Sequence, residues 1–179
     1  MQRYVAFLGG INVGGHRVKG PALAAEFATL GFSDVATFLA SGNVVFSAAP
    51  TPPARLAAGI EQQLERALGY AVPTFLRSAE QVRHIAAHRP FADELVAASN
   101  GKLQVVMLRE PPDAATRAAV GEVSDERDRL AVDGTELYWL PSGGISESDL
   151  DWSRLAGLGP STMRTANTVQ RIVARFLDA

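Results

Sequence analysis

The chain enters its first element through Tyr4-Val5-Ala6-Phe7-Leu8 and leaves it through Gly9-Gly10-Ile11-Asn12-Val13-Gly14-Gly15. The first five of these residues are apolar without a break, so they do not alternate between a wet and a dry face. They read as a strand buried on both sides that runs into a glycine-rich turn. A sheet with helices on one side only leaves its other face to water. A doubly buried strand therefore requires that face to be covered, by the other half of the chain or by a second copy.

Outward from this strand the punctuation is regular. Pro21 suits a first helical turn, Leu23, Phe27 and Leu30 recur at helical spacing, and Gly31 follows as a stop. Asp34 to Leu39 and Asn43 to Ser47 are β-prone runs joined through Ala40-Ser41-Gly42, as in a hairpin. Thr51-Pro52-Pro53 opens a helix whose Leu56, Ile60, Leu64 and Leu68 share one face before Gly69. Val72 to Arg77 is a fourth strand, and Pro73 at its start makes it an edge strand or costs it one ladder hydrogen bond. The order strand, helix, strand, strand, helix, strand gives a four-stranded antiparallel sheet with helices on one face, the ferredoxin-like plait.

The second half repeats this order without a residue-level repeat. Ser78 and Gln81 form a capping box for a helix carrying Val82 and Ile85 that Pro90 closes, and Ala92 to Gly101 reads as a connector. A strand from Leu103 to Arg109, a helix start at Pro111-Pro112-Asp113, and strands Leu130 to Val132 and Thr135 to Leu140 follow. Asp133-Gly134 is a type I′ hairpin signal between the last two. A short helix around Leu150 to Leu155, a weaker strand at Thr162 to Arg164 and a final amphipathic helix with Val169, Ile172, Val173, Phe176 and Leu177 complete the chain. The predicted fold class is α+β, with two consecutive ferredoxin-like (βαββαβ) units at residues 1–96 and 97–179, antiparallel sheets carrying helices on one face.

With 179 residues, 47% of them hydrophobic, the chain can bury a real core without staples. It has no cysteine, which excludes disulfides, thiolate metal sites and thiol nucleophiles and fits a reducing, cytoplasmic setting. No secretory signal pattern and no run of membrane-spanning length is present. A net charge of -2 gives no overall attraction to phosphate backbones, so nucleic acid is not the expected partner.

Three features carry chemistry. The loop holding Gly10, Asn12, Gly14 and Gly15 permits positive φ, and successive exposed amides in such a loop form an anion-binding nest. It does not fit GxGxxG, and the GxxxxGK[ST] pattern fails because His16-Arg17 follow Gly15, so no cofactor is assigned. Ser41, Gly42 and Asn43 form the second feature and are ordinary turn residues as well. The third is Arg164 with Asn167 and Thr168 at the start of the last helix, where Thr165 or Asn167 can cap and Arg164 suits an anionic group. His84 and His88 are four apart on one helix, but no third ligand is evident, and no metal site is expected. No nucleophile elbow or placed triad is recognised, and catalytic residues are left unknown.

The stretches YVAFLGGINVGG (residues 4–15), SGNVVF (residues 41–46), Phe91 after Pro90, and Arg164 to Thr168 resemble the motifs of a bacterial family catalogued as domain of unknown function 1697. The resemblance covers essentially the whole chain. It implies two ferredoxin-like halves and brings no assigned activity. Against the family pattern, Gly9 stands where an arginine is usual, Asp149 where a lysine is usual, and Thr165-Ala166 in place of Asn-Trp.

The expected function is a small-molecule or anion-binding module with its site at the Gly9–Gly15 loop and a small anionic ligand as partner. Self-association remains open. One alternative is single-stranded RNA binding, since Phe7-Leu8-Gly9-Gly10-Ile11 resembles an RNA-recognition motif, although Asn43 and Val45 stand where stacking aromatics belong. The other is an enzyme of unassigned reaction with its site between the two halves.

Overall fold

The doubly apolar run becomes β1 (Gln2–Leu8), the inner strand of a sheet completed by β2 (Ser33–Phe38), β3 (Asn43–Ala48) and β4 (Thr74–Ser78) in the order β2-β3-β1-β4. Every pairing is antiparallel. Helices α1 (Gly20–Thr29) and α2 (Pro53–Leu68) fall between the strands. Tyr4, Ala6 and Leu8 point into one core with Leu23, Phe27 and the Leu56-Ile60-Leu64 stripe of α2. Full burial of each such Leu or Ile contributes on the order of 1.5–3 kcal/mol, so this stripe holds the helix against the sheet. Phe46 joins it by stacking on Phe32, with ring centroids 4.5 Å apart.

The opposite face of β1 is closed too, with Val5 and Phe7 both at 0% exposure, as the unbroken apolar run required. Gly69 ends α2 in the left-handed region at φ 80°, its amide donating to Glu65 O at 2.9 Å. Pro73 immediately precedes the edge strand β4, and its carbonyl accepts from Gly9 N at 2.8 Å.

The structure is a computed structural model describing residues 1–100 and 102–178. Beyond β4 come α3 (Ala79–Ala87), α4 (Asp93–Ala98), β5 (Gln104–Leu108), α5 (Ala114–Val123), β6 (Asp128–Asp133) and β7 (Glu136–Pro141). Two 3₁₀ turns, Ile145–Glu147 and Trp152–Leu158, lead to β8 (Ser161–Thr165) and α6 (Ala166–Ile172), which continues as a π-helix over Val173–Leu177. The second sheet is antiparallel in the order β6-β7-β5-β8. The capping box forms as its residues require: Gln81 N donates to Ser78 Oγ and Ser78 N to Gln81 Oε1. Asp113 caps α5 by accepting from Thr116 N at 2.8 Å.

The two sheets share one register. Val5 pairs with Val45 and Arg77, and Val105 pairs with Tyr138 and Arg164. Leu8 N donates to Gly42 O and Leu108 N to Thr135 O, both at 2.8 Å. Setting the sheets in register also uncovers a sequence correspondence that inspection along the chain misses: Arg77-Ser78-Ala79 with Val82 and Ile85 matches Arg164-Thr165-Ala166 with Val169 and Ile172.

Three sequence expectations change. The connector at Ala92 to Gly101 contains α4, which is too short to show a helical period. The second crossover of the second sheet is made of 3₁₀ turns. They are pinned where the buried Asp128 carboxylate accepts from Trp139 Nε1 and Ser148 Oγ, both at 2.7 Å. The compact units are Met1–His84 with Ile172–Ala179, and Ile85–Arg171, so the division falls inside α3 rather than at 96/97. The end of the C-terminal helix goes with the first unit. Among the described residues, no helix is long and apolar enough to cross a membrane.

Candidate functional site

The glycine-rich loop and the Ser41-Gly42-Asn43 turn come together at one end of the first unit. Gly10, Gly14 and Gly15 adopt φ of 66°, 64° and 91°, the left-handed freedom the sequence pointed to. Asn12 is committed to the protein: its Nδ2 donates to Ala40 O at 2.6 Å, and its Oδ1 accepts from Val18 N at 2.7 Å. Tyr70 Oη donates to Ile11 O at 2.9 Å, and His16 stacks on the Tyr70 ring at 3.8 Å. The loop is thus fastened at its base and both flanks, while Val13, Gly14 and Gly15 lie exposed.

Gly42 packs so closely that a Cβ there would lie 2.6 Å from Ile11 Cγ2. Asn43 is fully buried and donates from Nδ2 to Phe38 O and Ser41 Oγ, so it stitches its own hairpin. Burial also bears on RNA recognition. Phe7, Asn43 and Val45 are all at 0% exposure and present nothing on which a base could stack.

Arg164, Asn167 and Thr168 stand in the second unit around the junction of β8 and α6. Arg164 is 7% exposed and donates from Nη1 to Met163 O and Thr162 Oγ1. Burial lowers its pKa to about 10, which still leaves it charged at neutral pH. Thr165 is the cap, accepting from Thr168 N at 3.1 Å, and Ala166 N donates to Leu103 O at 2.9 Å. Asn167 is left over. Its side chain is exposed and has no protein partner among the described residues.

Asn167 opens onto a cavity of about 350 Å³ whose lining lies wholly within Ile85–Arg171. That volume is at the low end of the ~300–1,000 Å³ typical of small-molecule sites. Tyr138 and Ile85, both buried, give it an apolar floor, and Phe91 and Leu103 line it further. Arg89 and Lys102 supply positive charge, and Asp93 supplies the single carboxylate of its lining. His88 sits over the Tyr138 ring at 4.8 Å, with its Nδ1 3.7 Å from Asp133 Oδ2. The connector that closes the cavity is tied down where Asn100 N donates to Ser142 O at 3.2 Å and Ser99 Oγ donates to Pro141 O. Lys102 holds φ at 62°, a left-handed conformation costly for a residue with a side chain. Of the candidate ligand-binding residues named from the sequence, only Asn167 lines this cavity, although His88, Phe91, Thr165 and Ala166, noted there on other grounds, line it too. Arg89, Lys102 and Tyr138 carried no motif, and a left-handed lysine leaves no mark in sequence.

The family model described as protein of unknown function (DUF1697) matches residues 1–138. The chain belongs to that family. A solved structure, that of the conserved bacterial protein SP0830 from Streptococcus pneumoniae, aligns over 96% of both chains with a TM-score of 0.70 at 21% identity. At that identity the likeness speaks for the fold alone: an α+β architecture of two four-stranded antiparallel sheets. No curated protein matches the chain.

Proposed function

We propose that this member of the family is a small-molecule binding protein made of two ferredoxin-like plaits, taking an anionic ligand in the cavity of the Ile85–Arg171 unit. The β2-β3-β1-β4 and β6-β7-β5-β8 orders support the plait reading. The observation that carries the function is the cavity itself. An aromatic and aliphatic floor lies under a rim with Arg89, Lys102 and the unpartnered amide of Asn167. The Gly9–Gly15 loop is a clasp in this reading, since the Asn12 side chain is spent on Ala40 and Val18.

The test is a thermal-shift panel of small organic acids and phosphates on wild type and on Ala166→Trp, which fills the cavity from its wall. A ligand at about 100 times its Kd stabilises by about 2.7 kcal/mol, which for a chain of this size raises Tm by roughly 5–10 °C. Wild type should respond to at least one compound and Ala166→Trp to none. A panel without any response, or an equal response in both proteins, removes the proposal.

A further inference from the structure

We infer that the Ile85–Arg171 cavity takes an organic monocarboxylate with a flat apolar body, the carboxylate held at Arg89 and the body laid against Phe91 and Leu103. This rests on the binding role proposed above and goes further by naming the ligand class.

The charge count comes first. The lining carries two cations, Arg89 and Lys102, against one acid, Asp93, and the imidazole of His88 lies beside Asp133. Arg89 and Lys102 against Asp93 offer a guest one net positive charge. A monoanion balances it, whereas a phosphate dianion would bring excess negative charge near Asp93.

Hydrogen bonding agrees. A phosphate seated on a helix end needs free backbone amides, but Ala166 N is taken by Leu103 O and Thr168 N by the Thr165 hydroxyl. Two of the first three amides of α6 are thus claimed, which leaves the guest's charge chiefly to side chains. Arg89 is suited to this: its Nη1 is anchored on Ala86 O at 3.0 Å and His88 O at 3.1 Å, while Nε and Nη2 have no protein partner among the described residues. Those two nitrogens form the planar edge that grips a carboxylate through two parallel bonds. Lys102 adds a point charge, from a backbone held in a strained conformation that a binding site retains and a stability optimum would not. Asn167 offers both a donor and an acceptor.

Shape decides the body. The apolar lining a guest can reach is the half-buried Phe91 and Leu103, above the buried Ile85 and Tyr138, in a space of about 350 Å³. A flat ring set against the half-buried Phe91 removes apolar surface from water on both partners.

The experiment is calorimetry on the full chain at constant neutral pH with four probes: benzoate, its neutral isostere benzamide, inorganic phosphate and adenosine monophosphate. Benzoate should bind and benzamide should bind at least about tenfold more weakly, the usual loss when a charge-assisted pair is removed. Arg89→Met should weaken benzoate by about tenfold or more. Lys102→Gly should weaken it severalfold while Tm stays level or rises, since glycine relieves the left-handed strain. That separates lost binding from lost folding. Benzamide binding as tightly as benzoate, or phosphate or the nucleotide binding more tightly, overturns the ligand class and leaves the cavity a binding site. Failure of all four probes, or benzoate binding untouched by Ala166→Trp, overturns the ligand class and the cavity reading together.

Discussion

Replacing Gly42 by alanine should be far more damaging than replacing Gly14, although both glycines are left-handed, at φ 74° and 64°. The conformational part is shared. An L-residue in this region costs about 1–2 kcal/mol, and alanine recovers roughly 0.5–1 kcal/mol by restricting the unfolded chain. Gly14→Ala should therefore lose about 0–1.5 kcal/mol, because nothing lies within 4 Å of its added Cβ. At Gly42 the Cβ meets Ile11 Cγ2 at 2.6 Å and Leu8 Cβ at 3.0 Å, both belonging to side chains at 2% exposure or less. Neither can retreat without disturbing the junction of β1 with its loop. Overpacking of this kind costs a further ~1–3 kcal/mol, for a total of about 1–4.5 kcal/mol. The assay is urea unfolding followed by far-UV circular dichroism, with slopes compared to confirm that the transition is the same. Equal losses at the two positions would refute the close packing of the turn against the loop.

Asn12→Ala removes the bonds to Ala40 O and Val18 N and should cost about 1–3 kcal/mol by chemical denaturation, with benzoate binding unchanged because the cavity lies in the other unit. A loss of binding without a loss of stability would reverse the clasp reading of the loop. Asp113, Asp125 and Asp151 are each held below their usual pKa of 3.8, chiefly by hydrogen bonds from Thr116, from Asp128 and Arg127, and from Ser153 respectively. Because these pKa values are depressed on folding, the stability they contribute is complete above pH 3.8 and is lost as pH falls through the lower folded values. Replacing all three by Asn should therefore flatten the acid limb of a stability–pH curve below that point. An unchanged slope would remove these carboxylates from the acid response.

Element order was legible along the chain because its signals are local. Pro53 and Gly69 bracket α2, Ser78 and Gln81 cap α3, Asp133-Gly134 turns β6 into β7, and the unbroken run from Tyr4 to Leu8 announces a strand buried on both faces. Each depends on backbone preferences or side-chain bonds within a few residues, so no knowledge of distant neighbours is needed. What the tertiary structure alone decided depends on partners far apart in sequence. Arg89, Lys102, Tyr138 and Asn167 meet around one cavity only once β5 lies between β7 and β8. Asn12 looks like a ligand contact until Ala40 and Val18 are seen to occupy it. Arg77 and Arg164 are recognisable as equivalent only in register, because pairing fixes each residue's place across a sheet while the intervening sequence drifts. Spacing reports which way a side chain faces, whereas its function follows from which hydrogen bonds and surfaces remain unclaimed once the chain has packed.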